Sequence, residues 1–272
     1  MMPGGTRAAY DAIESLVCKM AAQVDDGPCV TYIGPGGAGH FVKTVHNGIE
    51  YGIEQILAEA YDLMKRGAGL NGDAMADVLG HWNSTEELSS FLVEITEICL
   101  RTKDPADGSD LVEKIVDAAG QKGTGLWTVE SALQMGVPVP TIYAALNARV
   151  LSSMRPERLA ADGLLPAPAP QPIPLAPLMD ACVLACIASY AQGMALLQEA
   201  SKLHNYQLDY AAIAQIWKGG CIIRARLLQR FDFLDKHFAK NQFLMGNQFT
   251  VADAYLFTTL TWAGGAKVDI SG

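Results

Sequence analysis

The sequence predicts a mainly α-helical fold with one short strand near the N-terminus. Amphipathic patterns of helical period recur along most of the 272 residues. Residues 29–33 (CVTYI) are the one stretch whose β-branched and aromatic content indicates a strand. The glycine-rich turn GPGGAG at 34–39 follows it, and about seventy residues of helical pattern come next.

This turn matches GxGxxG, but a dinucleotide fingerprint belongs to a βαβ unit with a second parallel strand and an acid about 20 residues on. Because helices follow instead, we interpret the match as misleading and expect no Rossmann domain. The glycines then serve to turn the backbone tightly and let it approach a ligand closely.

The composition limits the classes of protein to which this chain can belong. Half of the residues are hydrophobic, 18% are charged and the net charge is −9. Such a chain can bury a substantial core in one large domain or two. The acidic balance, without any basic tract, argues against nucleic acid and anionic membranes as partners.

Cysteine spacing and apolar runs point to a cytoplasmic protein. The six cysteines show no CxxC pair and no paired Cys/His spacing, so neither a metal site nor a disulfide framework is indicated, and buried free thiols are expected. Residues 1–10 lack the apolar core of a secretory signal. The apolar run 181–197 contains polar residues and is slightly short for a membrane span, which favours a core helix.

Helix signals divide the chain into segments. An amphipathic helix at 6–24 is broken by DDGP, and a long helix from the glycine turn ends at 67–69. Ser84 followed by acidic residues predicts an N-cap. The further predicted helices are 71–82, 84–100, 111–118 and 140–154.

Loops are expected at 104–108 and 119–128. Residues 166–177 contain six prolines, which predicts an extended, polyproline-like connection. A weak internal repeat relates residues 51–82 to 190–217, shifted by about 140 positions, and each copy ends at a tryptophan. Ionisable groups at helical spacing precede the first copy but not the second. We therefore expect any catalytic chemistry at the first copy.

Four polar residues of the long helix share one face. Lys43, His46, Asn47 and Glu50 are spaced i, i+3, i+4 and i+7. A rise of about 1.5 Å per residue separates Lys43 from Glu50 by about 10 Å, which suits the two ends of a small bound molecule.

The alternative is an ordinary solvated helix face, because Lys, Asn and Glu usually lie in water. Spacing alone favours that alternative. Against it, apolar residues cover most of the remaining circumference, which predicts a helix buried on most sides whose ionisable groups need partners or a cavity. These residues are Phe41, Val42, Val45, Ile49 and Ile53.

Two cations elsewhere indicate an anion site. Lys122 lies among glycines in the loop 119–128, where an ammonium and backbone N–H groups can meet one phosphate, although an exposed loop lysine is the alternative. Arg149 lies in an apolar helix and needs an anionic partner, carboxylate or phosphate.

The run GAGHFVKTVHNGIEYG at 37–52 resembles the signature of the decarboxylating 6-phosphogluconate dehydrogenases. Three flanking segments resemble further family motifs: MPGG at 2–5, AGQKGTG at 119–125 and WKGGCIIR at 217–224. The similarity extends from near residue 2 to about residue 228. Leu126 stands where many family members have lysine.

The resemblance implies NADP-dependent oxidative decarboxylation of 6-phosphogluconate to ribulose 5-phosphate in the pentose phosphate pathway, without a metal, by a homodimer. Lys43 is then the general base at the C3 hydroxyl and Glu50 the acid that protonates C1. His46 and Asn47 hold the sugar hydroxyls and carboxylate. The resemblance assigns the phosphate to Tyr51, Lys122 and Arg149.

The resemblance also implies three domains. Residues 1–38 correspond to the end of a nucleotide-binding domain, 39–230 to the helical domain, and 231–272 resemble the C-terminal helical region of a bacterial glutathione transferase, with a capping box at Thr250 and Asp253. A fusion of gene fragments explains this arrangement. We therefore expect a truncated and impaired enzyme; the alternatives are a noncatalytic helical fragment for dimerisation or sugar-phosphate binding and, last, a glutathione transferase.

Overall fold

The computed structural model describes residues 1–164 and 173–228. Within these residues the fold is mainly α-helical, as the sequence predicts. One hairpin is formed by β1 (Gln23–Val24) and β2 (Gly27–Pro28). The helices are α1 (Arg7–Met20), α2 (Ala38–Asp62), α3 (Gly72–Ser84), α4 (Phe91–Arg101), α5 (Thr124–Gln134), α6 (Pro140–Ser153), α7 (Arg155–Ala161), α8 (Leu175–His204) and α9 (Tyr210–Ile216).

The predicted strand at 29–33 is wrong. No hydrogen-bond ladder runs along this segment, which is bonded to the N-terminal residues only near its two ends: Met1 N donates to Cys29 O, Ile33 N to Pro3 O (2.8 Å) and Gly5 N to Gly34 O (3.0 Å). A β-branched run favours an extended backbone, yet a strand also needs a neighbour that continues the hydrogen-bond ladder. The predicted helix 6–24 ends at Met20 instead, because the hairpin takes up the residues beyond.

Helix α2 is confirmed as an unusually long element. It passes into a π-helical turn, Leu63–Gly67, whose end is closed by Ala68 N donating to Leu63 O (3.1 Å). Gly69 follows with φ +70°, a left-handed conformation that glycine adopts without strain. The predicted stop at 67–69 is therefore correct.

The predicted N-cap at Ser84 is wrong. Helix α3 continues through Ser84, and α4 begins after Ser90, whose Oγ accepts from Val93 N (3.3 Å). Tertiary contacts select this later start: Phe91 N donates to Arg224 O (3.1 Å), and Arg226 N donates to Ser89 O (2.9 Å). Both serines carry an adequate local signal. The contact with residues 224–226 decides between them.

Four further segments differ from the prediction. Only one 3₁₀ turn, Leu111–Lys114, stands in place of the helix at 111–118. The loop 119–128 ends early, because α5 begins at Thr124 directly after Gly123, which has φ +99°. Helix α7 was not predicted. Residues 165–172 of the proline-rich segment lie outside the described residues, and α8 begins at Leu175 with Pro177 in its first turn, so an extended chain to residue 177 is wrong.

Helix α8 is the partner of α2 in the core. It is long and apolar enough to cross a membrane by length and composition, but half of its apolar window is buried inside the protein. Gly193 of α8 lies directly against Ile49 of α2, and Gly52 of α2 lies against Ser189 of α8. The two copies of the weak repeat, α2–α3 and α8–α9, each end at a buried tryptophan, Trp82 and Trp217.

All six cysteines are free, but they are not all buried. Cys29, Cys182 and Cys186 are buried as expected, whereas Cys99 is exposed. Burial raises the pKa of the Cys182 thiol to about 11 and that of Cys186 to about 12, so both stay protonated at neutral pH.

Gly48 sets the distance between α2 and α5. A methyl group there would lie 2.5 Å from Thr128 Cγ2 and 2.9 Å from Thr128 Cβ, an atom that side-chain rotation cannot move away. We expect Gly48→Ala to lower the free energy of unfolding by roughly 1–3 kcal/mol, measured by urea denaturation.

Gly80→Ala in α3 is the matched control. Its added methyl group meets only the flexible end of Glu97, so helix propensity should leave stability unchanged or raise it by up to about 1 kcal/mol. Equal behaviour of the two variants would show that α2 and α5 are not in tight contact at Gly48.

Candidate active site

The site is built on the N-terminal half of α2. This helix starts at Ala38 after the turn at 34–39, where glycines allow close backbone contact: a side chain on Gly39 would overlap Met2 O, and one on Gly34 would meet Tyr206 O. At Gly34 and Gly39 the close approach is to the chain's own backbone, whereas Gly36 and Gly37 have open space around them, and the expected approach to a ligand stays a prediction. The described residues contain no parallel sheet.

Three of the four predicted polar side chains on α2 form one cluster. Lys43 Nζ donates to Asn47 Oδ1 (2.6 Å) and lies 3.2 Å from His46 Nδ1. His46 Nδ1 also lies 3.2 Å from Asn47 Oδ1. Lys43 is exposed, so its expected burial is wrong, and it is held by these neighbours.

Helix α5 completes this cluster. Asn47 Nδ2 donates to Thr124 Oγ1 (3.2 Å), at the first residue of α5. One turn later the buried Thr128 hydroxyl lies 2.9 Å from both Thr44 O and Thr124 O, which fixes α5 against α2. Sequence analysis missed Thr124, although the preceding glycine-rich loop was a signal for a helix start.

His46 is fully buried against Trp217. The two rings meet edge to face, with centroids 5.5 Å apart and planes at 78°. Burial, and secondarily the charge of Lys43, lowers the pKa of His46 to about 4. The imidazole is thus neutral near pH 7 and can accept a hydrogen bond from Lys43 Nζ. Trp217 was not predicted as a site residue.

Glu50 connects the Lys43 cluster to a second group of charges. Burial raises the pKa of this half-buried carboxyl, the neighbouring charge of Glu54 raises it further, and Lys43 and Arg149 oppose both effects. These interactions place Glu50 within the field of Lys43 and of Arg149.

The second group centres on Arg149 of α6. Its guanidinium lies 3.9 Å from the centroid of the Tyr51 ring and pairs with the carboxylate of Glu54. Its Nη1 donates to Gly120 O (3.2 Å). The predicted need for an anionic partner is met by Glu54, which sequence analysis missed, although it lies one turn beyond Glu50.

The loop carrying Lys122 is attached to this group at both ends. Arg149 binds Gly120 O on one side, and on the other Gly125 lies so close to the Tyr51 ring that a side chain there would overlap it. The Lys122 side chain itself is exposed, and so is Leu126. The structure therefore brings Tyr51 and Arg149 together and places Lys122 on the adjoining loop.

An apolar pocket lies on another face of α2, between α2, α4 and α8. Its lining includes Ile53, Leu57, Leu92 and Cys186, and none of the seven predicted site residues. The polar face of α2 is thus separate from it. Among residues 1–164 and 173–228, no group of three or more His, Cys, Asp and Glu could hold a metal ion.

Comparison with known proteins agrees with the signature on α2. The family model "6-phosphogluconate dehydrogenase, C-terminal domain" matches residues 39–256. The chain belongs to the 6-phosphogluconate dehydrogenase family. It is 57% identical over 237 residues to the decarboxylating enzyme of Synechococcus elongatus, covering 85% of this chain and 50% of the relative. It is 45% identical over 236 residues to the NADP(+)-dependent enzyme of Bacillus subtilis, again covering 85% and 50%.

A solved structure has the same fold. Plasmodium falciparum 6-phosphogluconate dehydrogenase, determined in its apo form, with its cofactor NADP+ and with its substrate 6-phosphogluconate, aligns with a TM-score of 0.84 and 38% identity. The alignment covers 99% of this chain and 60% of that one. The chain thus spans about half the length of the curated relatives it matches.

The domain boundaries stay predictions. The family match begins at residue 39, where the helical domain was predicted to start, and extends to residue 256, beyond the predicted boundary at 230. Residues 231–272, with their resemblance to a glutathione transferase and their capping box, lie outside the described residues. The cytoplasmic location also stays a prediction.

The low pKa of His46 makes stability depend on pH. Its pKa is about 4 in the folded protein against 6.5 for the free side chain, so the folded state binds fewer protons than the unfolded state between these values. The contribution of the neutral imidazole is complete above pH 6.5 and is lost as the pH falls towards 4. It amounts to roughly 3 kcal/mol.

Urea unfolding of wild type and His46→Gln at pH 7 and pH 4 measures this contribution. The fall in unfolding free energy between the two pH values should be smaller in the variant by roughly 3 kcal/mol. The same fall in both proteins would contradict a buried, neutral His46.

Proposed function

We propose that this chain supplies the sugar-phosphate site of a decarboxylating 6-phosphogluconate dehydrogenase. The observation that carries the proposal is the set of polar groups along one face of α2, from Lys43 to Glu50, next to the contact of Tyr51 with Arg149 of α6. It offers proton-transfer groups beside a cation suited to phosphate. Relatives named as decarboxylating 6-phosphogluconate dehydrogenases, at 57% and 45% identity, support it.

The two ends of this surface suit the two ends of 6-phosphogluconate. Asn47 presents an amide for the hydroxyls and the carboxylate, and the buried His46 holds Lys43 beside it. Arg149, stacked on Tyr51, and Lys122 present two cations for the phosphate. Binding energy at the unreactive phosphate helps to hold the reacting carbons against α2.

Proton transfer is assigned to Lys43 and Glu50. Lys43 takes the proton of the C3 hydroxyl, and its contacts with His46 and Asn47 hold its Nζ in place. Glu50 protonates C1 after carbon dioxide has left. A carboxyl whose pKa is raised by burial and by Glu54 is suited to this, because it can carry a proton nearer to neutral pH.

NADP is the cofactor that the family relationship implies. The described residues do not fit its dinucleotide site, because no parallel βαβ unit follows the turn at 34–39. Two of its glycines, Gly39 and Gly34, contact the chain's own backbone at Met2 and Tyr206. No step is therefore assigned to a cofactor here. The same observation favours a second candidate function, a noncatalytic helical unit that binds a sugar phosphate.

Two measurements separate the candidates. Calorimetry should show that 6-phosphogluconate binds and that Lys122→Ala weakens binding about tenfold, the loss expected for one charge-assisted contact. Lys202→Ala, at an exposed lysine near the end of α8, is the control and should bind as wild type does.

NADPH formation from 6-phosphogluconate is then measured by absorbance. Turnover that disappears in Lys43→Ala supports the dehydrogenase, and binding without turnover supports the noncatalytic unit. Absence of binding to the wild-type chain would contradict both. The glutathione transferase alternative requires that the chain conjugate an electrophile to glutathione.

We also propose a homodimer. Large apolar side chains are exposed on α5 and α6: Trp127 is 52% exposed, Leu133 74%, Tyr143 49% and Leu151 57%. Because α5 and α6 are neighbouring helices, exposed apolar side chains concentrated on them favour an interface between protein chains.

Charge introduced at this surface should weaken the dimer. We expect Leu133→Glu combined with Leu151→Glu to raise the dissociation constant at least about tenfold in sedimentation equilibrium. Leu203→Glu, at an exposed leucine near the end of α8, should leave it unchanged. A wild-type chain that sediments as a monomer would contradict the proposal.

A further inference from the structure

The partner of Arg149 is a carboxylate from α2. Glu54 lies one turn beyond Glu50, and its carboxylate binds Arg149 Nη2 across 95 positions of sequence. The two side chains are partly buried, with 21% of Arg149 and 34% of Glu54 exposed. Screening by water is reduced at such a pair, so its geometry is better held than that of a surface ion pair.

The other donor and the flat face of the guanidinium are also occupied. Nη1 donates to Gly120 O at 3.2 Å, and the plane of the group lies over the Tyr51 ring at 3.9 Å. A phosphate binds arginine best through two parallel N–H···O bonds. In the described structure, the Glu54 carboxylate already binds Nη2, which is one of the donors of that fork.

We propose that Glu54 is a positioning residue that also sets phosphate affinity: its carboxylate occupies the Arg149 fork in the empty site and competes for it with the incoming phosphate. This inference rests on the proposed function, in which Arg149 receives the phosphate group. Glu54 thereby keeps the guanidinium stacked on Tyr51 before ligand arrives. Because the carboxylate must be displaced from Arg149, the phosphate binds more weakly.

The same carboxylate affects Glu50. Three charged groups act on Glu50 in the described structure: Lys43 and Glu54 from α2, and Arg149 from α6. Of these only Glu54 raises the pKa of Glu50, in addition to the effect of burial. Replacing Glu54 by an amide of the same shape removes this charge, so the pKa of Glu50 should fall.

The test compares Glu54→Gln with wild type, using 6-phosphogluconate and inorganic phosphate as calorimetric probes. The amide keeps the shape of the side chain but not its charge, so both probes should bind about fivefold more tightly, as expected for loss of one competing, partly exposed ion pair. Gluconate, which lacks the phosphate, should bind equally to both proteins.

Glu59→Gln is the matched control. It removes one negative charge from the same helix, at an exposed position that interacts with Gln55 and not with Arg149. Phosphate affinity should not change in this variant. In an Arg149→Gln background, Glu54→Gln should also have no effect, since the competition requires the guanidinium.

The ¹³C NMR titration of the Glu50 carboxyl is the second readout, and its pKa should fall in Glu54→Gln. Circular dichroism verifies that each variant is folded. Unchanged or weaker phosphate binding in Glu54→Gln, with binding still lost in Arg149→Gln, overturns the inference and leaves the proposed function standing. If Arg149→Gln binds both probes as wild type does, the proposed function fails at Arg149 and the inference fails with it.

Discussion

The site depends on how closely α2 is packed against its neighbours. Gly48 faces Thr128 of α5, Gly52 faces Ser189 of α8, and Ile49 of α2 faces Gly193 of α8. At each of these contacts a methyl group in place of the glycine hydrogen would lie within 3 Å of another side chain. Contacts this close fix the rotation of α2 about its own axis, because a turned helix would bring larger side chains into the same gaps.

Fixing that rotation directs the polar face of α2 towards α5 and α6. Asn47 then reaches Thr124, and Tyr51 lies under Arg149. The buried His46 is the exception, since it packs on Trp217 and is kept neutral. Charges of both signs thus lie near one another at this site. Lys43, Glu54 and Arg149 act on the pKa of Glu50, and Glu54 holds Arg149 in place.

Membership of the 6-phosphogluconate dehydrogenase family gives this surface a chemical context. The family match starts at the helix that carries the polar face, and the chain spans about half the length of its curated relatives. The groups proposed for substrate binding and proton transfer lie on α2, on α6 and on the loop before α5. In the glycine turn before α2, which has a dinucleotide-like pattern, Gly34 and Gly39 pack against the chain's own backbone.

The sequence by itself determined the helical class, the long helix α2, and the common face of Lys43, His46 and Asn47, because helical spacing is a local property. It also carried the family signature. Only the tertiary structure decided that residues 29–33 have too few bonds for a strand, that α4 starts after Ser90, and that Glu54 is the partner of Arg149. The last contact joins residues 95 positions apart. Such partners are selected by the packing of helices against one another, and no local pattern records that packing.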